Sequence, residues 1–464
     1  MTTDYRKFLA SKRFIPPSSG LTVSHADVSD GLFDFQRHIV AWAVGRGRAA
    51  IWADTGLGKT RMQLEWLRLT GQRGLILAPL GVTAQTVREA AEIGITVAYC
   101  RDQDEADAAE SHVITNYERL DKFDATAFAA VVLDESSILK AFSGSVKRSL
   151  VATFRETPFR LACTATPAPN DLEELCNHAD FLGVMSPAEM RSTFFIADSR
   201  GEFMKYRIKG HARTAFFEWL ATWAIACRSP EDLGFDGSAY DLPPLNIVDH
   251  LVATDWTPEG SLFSFGLNGI TERSQVRRDT LEARVGRAAE LVLAEPDEPW
   301  IVWCGRNDEA DMMSKALSVM RPVNVQGSDS PESKAASLAE FASGEILVLV
   351  TKSSIAGMGL NFQRCARMVF VGLGDSYEQY YQAIRRCYRF GQTRAVDVHI
   401  VVSDVEAPII ANVRAKERLA REITDGLVAA IAAENRRELF AGTSKGEVYE
   451  PTAPASIPAF LRSV

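Results

Sequence analysis

Arg48-Ala49-Ala50-Ile51-Trp52-Ala53-Asp54-Thr55-Gly56-Leu57-Gly58-Lys59-Thr60 is the stretch on which the fold turns. The apolar run Ala49 to Ala53 leads straight into a loop with two glycines and a lysine, and a stretch of helical composition, Arg61 to Leu69, follows. Strand, loop and helix in that order are what a phosphate cradle requires. Gly56 and Gly58 let backbone N–H groups close on phosphate oxygens at a helix N-terminus. Lys59 neutralises charge at the β- and γ-positions, and the Thr60 hydroxyl is suited to ligate Mg²⁺. The general pattern GxxxxGK[ST] has Ala53 at its first position, a small residue where glycine is usual.

Outward from this loop, Leu75 to Ala78, His112 to Thr115, Val131 to Leu133 and Arg160 to Cys163 repeat the short apolar run, each separated by helical composition. Such alternation predicts a parallel sheet covered by helices. A second series starts at Trp300 to Cys304 and runs through Val323 to Gln326, Ile346 to Thr351, Met368 to Val371 and Val398 to Val402. The expected organisation is an N-terminal extension over 1–30, a first α/β lobe over 31–245, a Gly-, Pro- and Asp-rich connector over 246–280, a second lobe over 281–425, and a C-terminal helix and tail over 426–464.

The 464 residues suit two or three compact units, and 46% hydrophobic with 24% charged residues excludes disordered and fibrous classes. No apolar stretch approaches the ~18 residues of a membrane span, so a cytoplasmic protein is expected. With 51 basic against 60 acidic residues, the net charge of −9 argues against coating nucleic acid by bulk attraction, and any such contact must be local. The seven cysteines form no CxxC pair and the seven histidines no HExxH, so no transition metal is expected.

Three further groups carry chemistry. Asp134-Glu135 ends the run Val131 to Leu133, at the strand end where open parallel sheets bind ligands. There Asp134 can hold Mg²⁺ and Glu135 can polarise the water that attacks a γ-phosphoryl group. Thr164-Ala165-Thr166-Pro167 brings two hydroxyls to the same edge, and Asp171 with Glu174 has the spacing of a capping box. In the second unit, Gln379 to Val396 contains Gln382, Arg385, Arg386, Arg389 and Arg394 without one acidic residue. At helical spacing Gln382, Arg386 and Arg389 share a face, from which two guanidinium groups can complete a phosphate site when a cleft closes. Ser354, Gly357, Gly359 and Asn361 form a Gly-rich turn after a strand.

Taken together, in this order, these motifs resemble those of a superfamily-two helicase, and most closely its Swi/Snf-like DNA-translocase branch, over about Phe33 to Ile400. Phe35-Gln36 resembles the adenine-reading Q motif, Ala53 to Thr60 motif I, Ala78-Pro79 motif Ia, Thr115-Asn116-Tyr117 motif Ib and Asp134 to Lys140 motif II. Thr164 to Pro167 resembles motif III, Trp303 to Arg306 motif IV, Thr351 to Asn361 motif V, and Gln382 to Gln392, as QAxxRxxRxGQ, motif VI. Two departures stand out: Ser137 replaces the usual motif II histidine, and Ser376-Tyr377-Glu378 replaces the Trp-Asn-Pro common ahead of motif VI.

The resemblance implies two tandem RecA-like P-loop NTPase lobes, parallel sheets flanked by helices, with a helical C-terminal extension. It implies ATP and Mg²⁺ in the cleft. Gln36, Ala53, Asp54, Thr55, Gly56, Leu57, Gly58, Lys59 and Thr60 would bind ATP, with Thr60 and Asp134 on the metal. Lys59, Glu135, Gln382, Arg386 and Arg389 would be catalytic. Thr164, Thr166, Thr351, Gly357 and Asn361 would couple nucleotide state to motion, and Pro79, Asn116 and Ser354 would touch the DNA backbone. The compact form resembles bacterial and bacteriophage members, some of which neighbour DNA methyltransferases. A methyltransferase or nuclease partner is therefore an expectation, although Leu242-Pro243-Pro244-Leu245 lacks the rest of a methylase motif. The expected activity is DNA-dependent ATP hydrolysis driving translocation on duplex DNA; the alternatives are a strand-separating helicase and a nonmotor ATP-dependent clamp or recruiting subunit.

Overall fold

The computed structural model describes residues 19–141, 144–168, 172–198, 205–253, 277–353, 355, 361–374 and 376–440. Its first sheet contains β1 (Arg48–Ala53), β2 (Gly74–Ala78), β3 (Val97–Tyr99), β4 (His112–Asn116), β5 (Ala130–Asp134) and β6 (Phe159–Cys163). A small antiparallel hairpin, β7 (Phe195–Asp198) and β8 (Lys205–Ile208), precedes the seventh strand of that sheet, β9 (Ala224–Cys227). The order is β3-β4-β2-β5-β6-β1-β9, parallel at every pairing. Strands β1, β2, β5 and β6 are buried almost throughout, which explains why they read as continuous apolar runs rather than alternating ones.

The second sheet contains β10 (Leu245–Val252), β11 (Trp300–Cys304), β12 (Val323–Val325), β13 (Val348–Lys352), β14 (Arg367–Val371) and β15 (Val396–Ser403), ordered β10-β15-β14-β11-β13-β12 and again parallel. The two α/β lobes expected from sequence are present, each with apolar cores on both faces of its sheet.

Two expected boundaries shift. Residues 245–252 are no connector: they pair along their whole length with β15 and form the edge of the second sheet. The C-terminal helix starts before 426, spanning Ala407–Phe440 without a break. This helix leaves the second lobe and lies back on the first: Leu427, Val428 and Ile431 join the first lobe's core. Its buried Asn435 donates to the Ala224 carbonyl (3.1 Å) and accepts from the Ala226 N–H (3.2 Å). One helix thus ties the lobes together on the far side of the P-loop strand, through edge strand β9. Part of the N-terminal extension also belongs to the first lobe, since Leu21 N–H bonds to the Val44 carbonyl and Val28 is buried. No described helix is long and apolar enough to cross a membrane.

Candidate active site

The order β5-β6-β1 decides the site. Because β6 lies between the other two, the ends of all three strands stand side by side: Cys163 is in register with Ile51 on one side and Asp134 on the other. Residues far apart in sequence, Lys59, Asp134-Glu135 and Thr164, therefore share one sheet edge.

After β1 the chain turns through Gly56 (φ 88°) and Gly58 (φ 76°), both left-handed, into α1, which is Lys59–Thr70. Space enforces glycine at 58 as well, because a Cβ there would stand 2.3 Å from Gln36 Nε2. Gln36 is fully engaged within the first lobe: Oε1 accepts from the Phe33 N–H (3.0 Å) and Nε2 donates to the Leu57 carbonyl (2.9 Å), bracing the loop. Lys59 Nζ donates to the carbonyls of Ala53 (2.8 Å) and Asp54 (3.1 Å), so its ammonium lies over the loop. Thr60 is the second residue of α1 and Leu57 is buried beneath the turn.

Asp134 is buried. Its Oδ1 accepts from Gln63 Nε2 (2.7 Å), one turn beyond Thr60, and its carbonyl accepts from the Tyr117 hydroxyl (2.7 Å). Glu135 has φ 54°, a left-handed conformation costly for a side-chain-bearing residue, roughly 1–3 kcal/mol. The next residue locks it, with Ser136 N–H on the Cys163 carbonyl (2.8 Å). Thr164 Oγ1 donates to Glu135 Oε2 (3.3 Å) and accepts from the Thr166 N–H (3.1 Å), so both threonines are wired to the acid. Burial raises both carboxyls above their ordinary values; Gln63 and Lys59 pull Asp134 the other way, while Lys59 opposes and Asp134 adds to the rise in Glu135.

The second lobe supplies the far wall. Helix α2, Tyr377–Ile384, carries Gln382, but it stops two residues before Arg386. The expectation that Gln382, Arg386 and Arg389 line one helical face is thereby corrected. The Arg386 carbonyl accepts from the Phe362 N–H (2.8 Å) and buried Gln392 donates to the carbonyls of Cys365 (3.1 Å) and Cys387 (3.3 Å). Those bonds draw the chain out of the helix into turns. The arginines still reach the cleft. Asp134 and Glu135 raise the Arg386 pKa against the larger lowering by burial, and burial with Arg386 beside it brings Arg389 down to about 10. Arg389 also donates to Asn361. The Nε atoms of both arginines are closed off from solvent and have no hydrogen-bond partner among the described residues. Unmet cationic donors opposite a phosphate loop fit a triphosphate and its γ-phosphoryl group.

Sequence reasoning missed the contacts that hold the lobes together. From α2 the Tyr381 hydroxyl donates to Asp54 Oδ1 (2.7 Å) and Arg385 Nη2 stands 3.4 Å from Asp54 Oδ2. Burial pushes the Asp54 carboxyl up, but Arg385, the Tyr381 hydroxyl and the Thr55 N–H together outweigh it and hold the group below its ordinary value. Ser137 Oγ donates to Glu378 Oε1 (3.1 Å), while Ser136 Oγ lies 3.0 Å from His178 Nε2. Phe390 of the second lobe packs on Tyr240 (4.7 Å between ring centroids) and Phe33 (5.9 Å) of the first, and a Cβ at Gly56 would come within 3.0 Å of its backbone nitrogen. These rings, with Gln36, Gly58, Asn361 and Arg389, line a cavity of about 570 Å³ between the lobes, a size that admits a nucleotide base and sugar.

Other expected residues lie apart from this cluster. Thr351 donates its hydroxyl to the Val325 carbonyl (3.0 Å) within the second sheet, turned toward its neighbouring strand. Pro79 caps the helix Leu80–Glu92, and Asn116 donates to Glu118 (2.6 Å) within its own loop. Ser354 and Gly357 lie outside the described residues, as does Asp171; Glu174 makes no side-chain cap on the helix that follows it.

The protein-family model for the helicase conserved C-terminal domain matches residues 283–391, which include α2 and both arginines. Over those residues the second lobe matches a helicase C-terminal domain, and the helicase resemblance read from the sequence is borne out there. No curated protein matches the chain. Among solved structures, the Sulfolobus solfataricus SWI2/SNF2 ATPase core in complex with dsDNA is similar at 17% identity and a TM-score of 0.41, covering 90% of this chain and 99% of that one.

Proposed function

We propose that this chain is a Swi/Snf-like, superfamily-two DNA translocase that hydrolyses ATP between its lobes and tracks on duplex DNA without opening it. The observation that carries the reading is the meeting of the Asp134-Glu135 pair of one lobe with Arg386 of the other, and of the phosphate loop at Gly56 with Arg389, both arginine Nε atoms lacking partners among the described residues. Lys59 and the loop amides would hold the phosphates. Thr60 and Asp134 would hold Mg²⁺, which supplies charge neutralisation on the triphosphate. Glu135, fixed by Thr164, would take the proton from the attacking water, and Arg386 with Arg389 would stabilise charge developing on the γ-phosphoryl group. Such arginines act only while the lobes are apposed, so hydrolysis and release would alternate closed and open states. Pro79, Asn116 and Ser354 would meet the DNA backbone, where contacts position without reading sequence.

The test compares ATP turnover with duplex DNA, single-stranded DNA and RNA, alongside displacement of a triplex-forming strand from duplex DNA. Stimulation by duplex and ATP-dependent triplex displacement are expected, with no opening of a forked duplex. Turnover indifferent to all three nucleic acids refutes the motor reading, and fork opening replaces it with strand separation.

A further inference from the structure

Outside the nucleotide cleft, the fold brings together three potential metal ligands. His25 lies in the turn before the helix Asp34–Arg46, and Asp34 and His38 lie one turn apart on that helix. A ligand nitrogen from each imidazole and a carboxylate oxygen fall within 4.8 Å of one another, a group of three that is alone of its kind among the described residues. We propose that His25, Asp34 and His38 form a binding site for a divalent transition cation, Zn²⁺ by the chemistry of its ligands, with water completing the coordination.

Distances support it. His25 Nε2 stands 3.1 Å and His38 Nδ1 3.6 Å from the same oxygen, Asp34 Oδ1. Two ligands each ~2.0–2.1 Å from zinc at a tetrahedral angle stand roughly 3.3 Å apart, so each imidazole with the carboxylate is within a few tenths of an ångström of that spacing, and the two imidazole nitrogens, within 4.8 Å of each other, would close on a shared cation. His25 Nε2 is closed off from solvent and faces the Asp34 carboxylate, with which it pairs when no cation is bound. The two imidazoles also pack with centroids 4.2 Å apart, an arrangement hostile to protonating both. His38 Nδ1 also lies 2.9 Å from the Asp34 carbonyl oxygen, so a proton shared there would be released as the cation enters. Two imidazoles and one carboxylate are a zinc-type donor set rather than one for Mg²⁺ or Ca²⁺. A bound ion would pin the turn to the first-lobe helix that carries Phe35 and Gln36.

The experiment uses tag-free full-length protein stripped with a chelator and kept free of nucleotide. Titration with Co²⁺ is expected to give one equivalent with a visible ligand-field band, displaced by Zn²⁺. Zn²⁺ should also raise the melting temperature, as any ligand bound to the native state does. His25→Ala, Asp34→Asn and His38→Ala should each weaken uptake at least tenfold, whereas His211→Ala should not. X-ray absorption of the zinc-loaded parent needs no variant and should report only nitrogen and oxygen neighbours. Absence of stoichiometric uptake, unchanged uptake in a His25→Ala/His38→Ala double variant, or sulfur in the zinc shell would each overturn the proposal.

Discussion

Tyr381→Phe isolates the contact between the phosphate loop and the second lobe. The substitution removes one hydroxyl and leaves the ring, which packs 5.7 Å from Tyr377 and lies 5.0 Å beneath the Arg385 guanidinium. What is lost is a 2.7 Å hydrogen bond to the Asp54 carboxylate, while Arg385 at 3.4 Å and the Thr55 N–H at 2.6 Å remain. A hydrogen bond to a charged group contributes about 1.5–3 kcal/mol, and each 1.4 kcal/mol is tenfold in an equilibrium. The ratio of apposed to separated lobes should therefore fall roughly 10- to 100-fold without nucleotide. All seven native cysteines are buried, so dyes can be placed selectively on Asp104→Cys and Ser333→Cys, exposed positions in different lobes. Single-molecule energy transfer then counts both populations directly. The sign with pH is fixed too. The folded Asp54 carboxyl sits below its ordinary value, so the contact's contribution is present above that value and is lost as pH falls through the lower, folded one. Tyr381→Phe histograms that overlay the parent's, with Tyr377→Phe as control, would refute the idea that this contact holds the lobes.

Glu135→Gln should cut ATP turnover by roughly 10²- to 10⁴-fold in steady-state assays while nucleotide binding, followed by fluorescence of a labelled ATP analogue, is retained. Arg386→Ala should cut turnover by roughly 10³-fold or more, and turnover within tenfold of the parent would exclude Arg386 from the chemistry. Because burial holds Glu135 above its ordinary value, its base form is lost on acidification at a higher pH than for a free glutamate. The acid limb of the pH–rate profile should be shifted upward accordingly, and its disappearance in Glu135→Gln checks the assignment. Asn435→Ala strips partners from the Ala224 carbonyl and the Ala226 N–H, and at ~1–3 kcal/mol for each buried group should destabilise by about 2–6 kcal/mol in urea unfolding.

What could be read from the chain, and what could not, divides on a physical line. Strands buried on both faces announce themselves: β1, β5 and β11 are apolar almost end to end, and the chemistry at their ends inherits that clarity. Strand β10 stayed hidden because its residues alternate between exposed and half-buried at a sheet edge, a pattern interrupted by Asp249 and His250. The end of α2 was equally hidden. The bonds that redirect the chain after Ile384 include two from distant sequence, the Phe362 N–H on the Arg386 carbonyl and Gln392 on the Cys365 carbonyl. Long-range pairing is the common cause, and it bears hardest on the two departures from the motif pattern. Ser137 and Glu378, each an anomaly in its own motif, are 241 residues apart and hydrogen-bond to each other across the cleft. Without either residue that bond is lost. Made together they form a contact that needs both lobes, so a place where the sequence departs from the helicase motifs it resembles is also a place where the lobes engage directly. A histidine at 137 would bring a bulkier ring to that contact, and restoring the usual residue there without changing Glu378 should weaken the apposition on which the arginines depend.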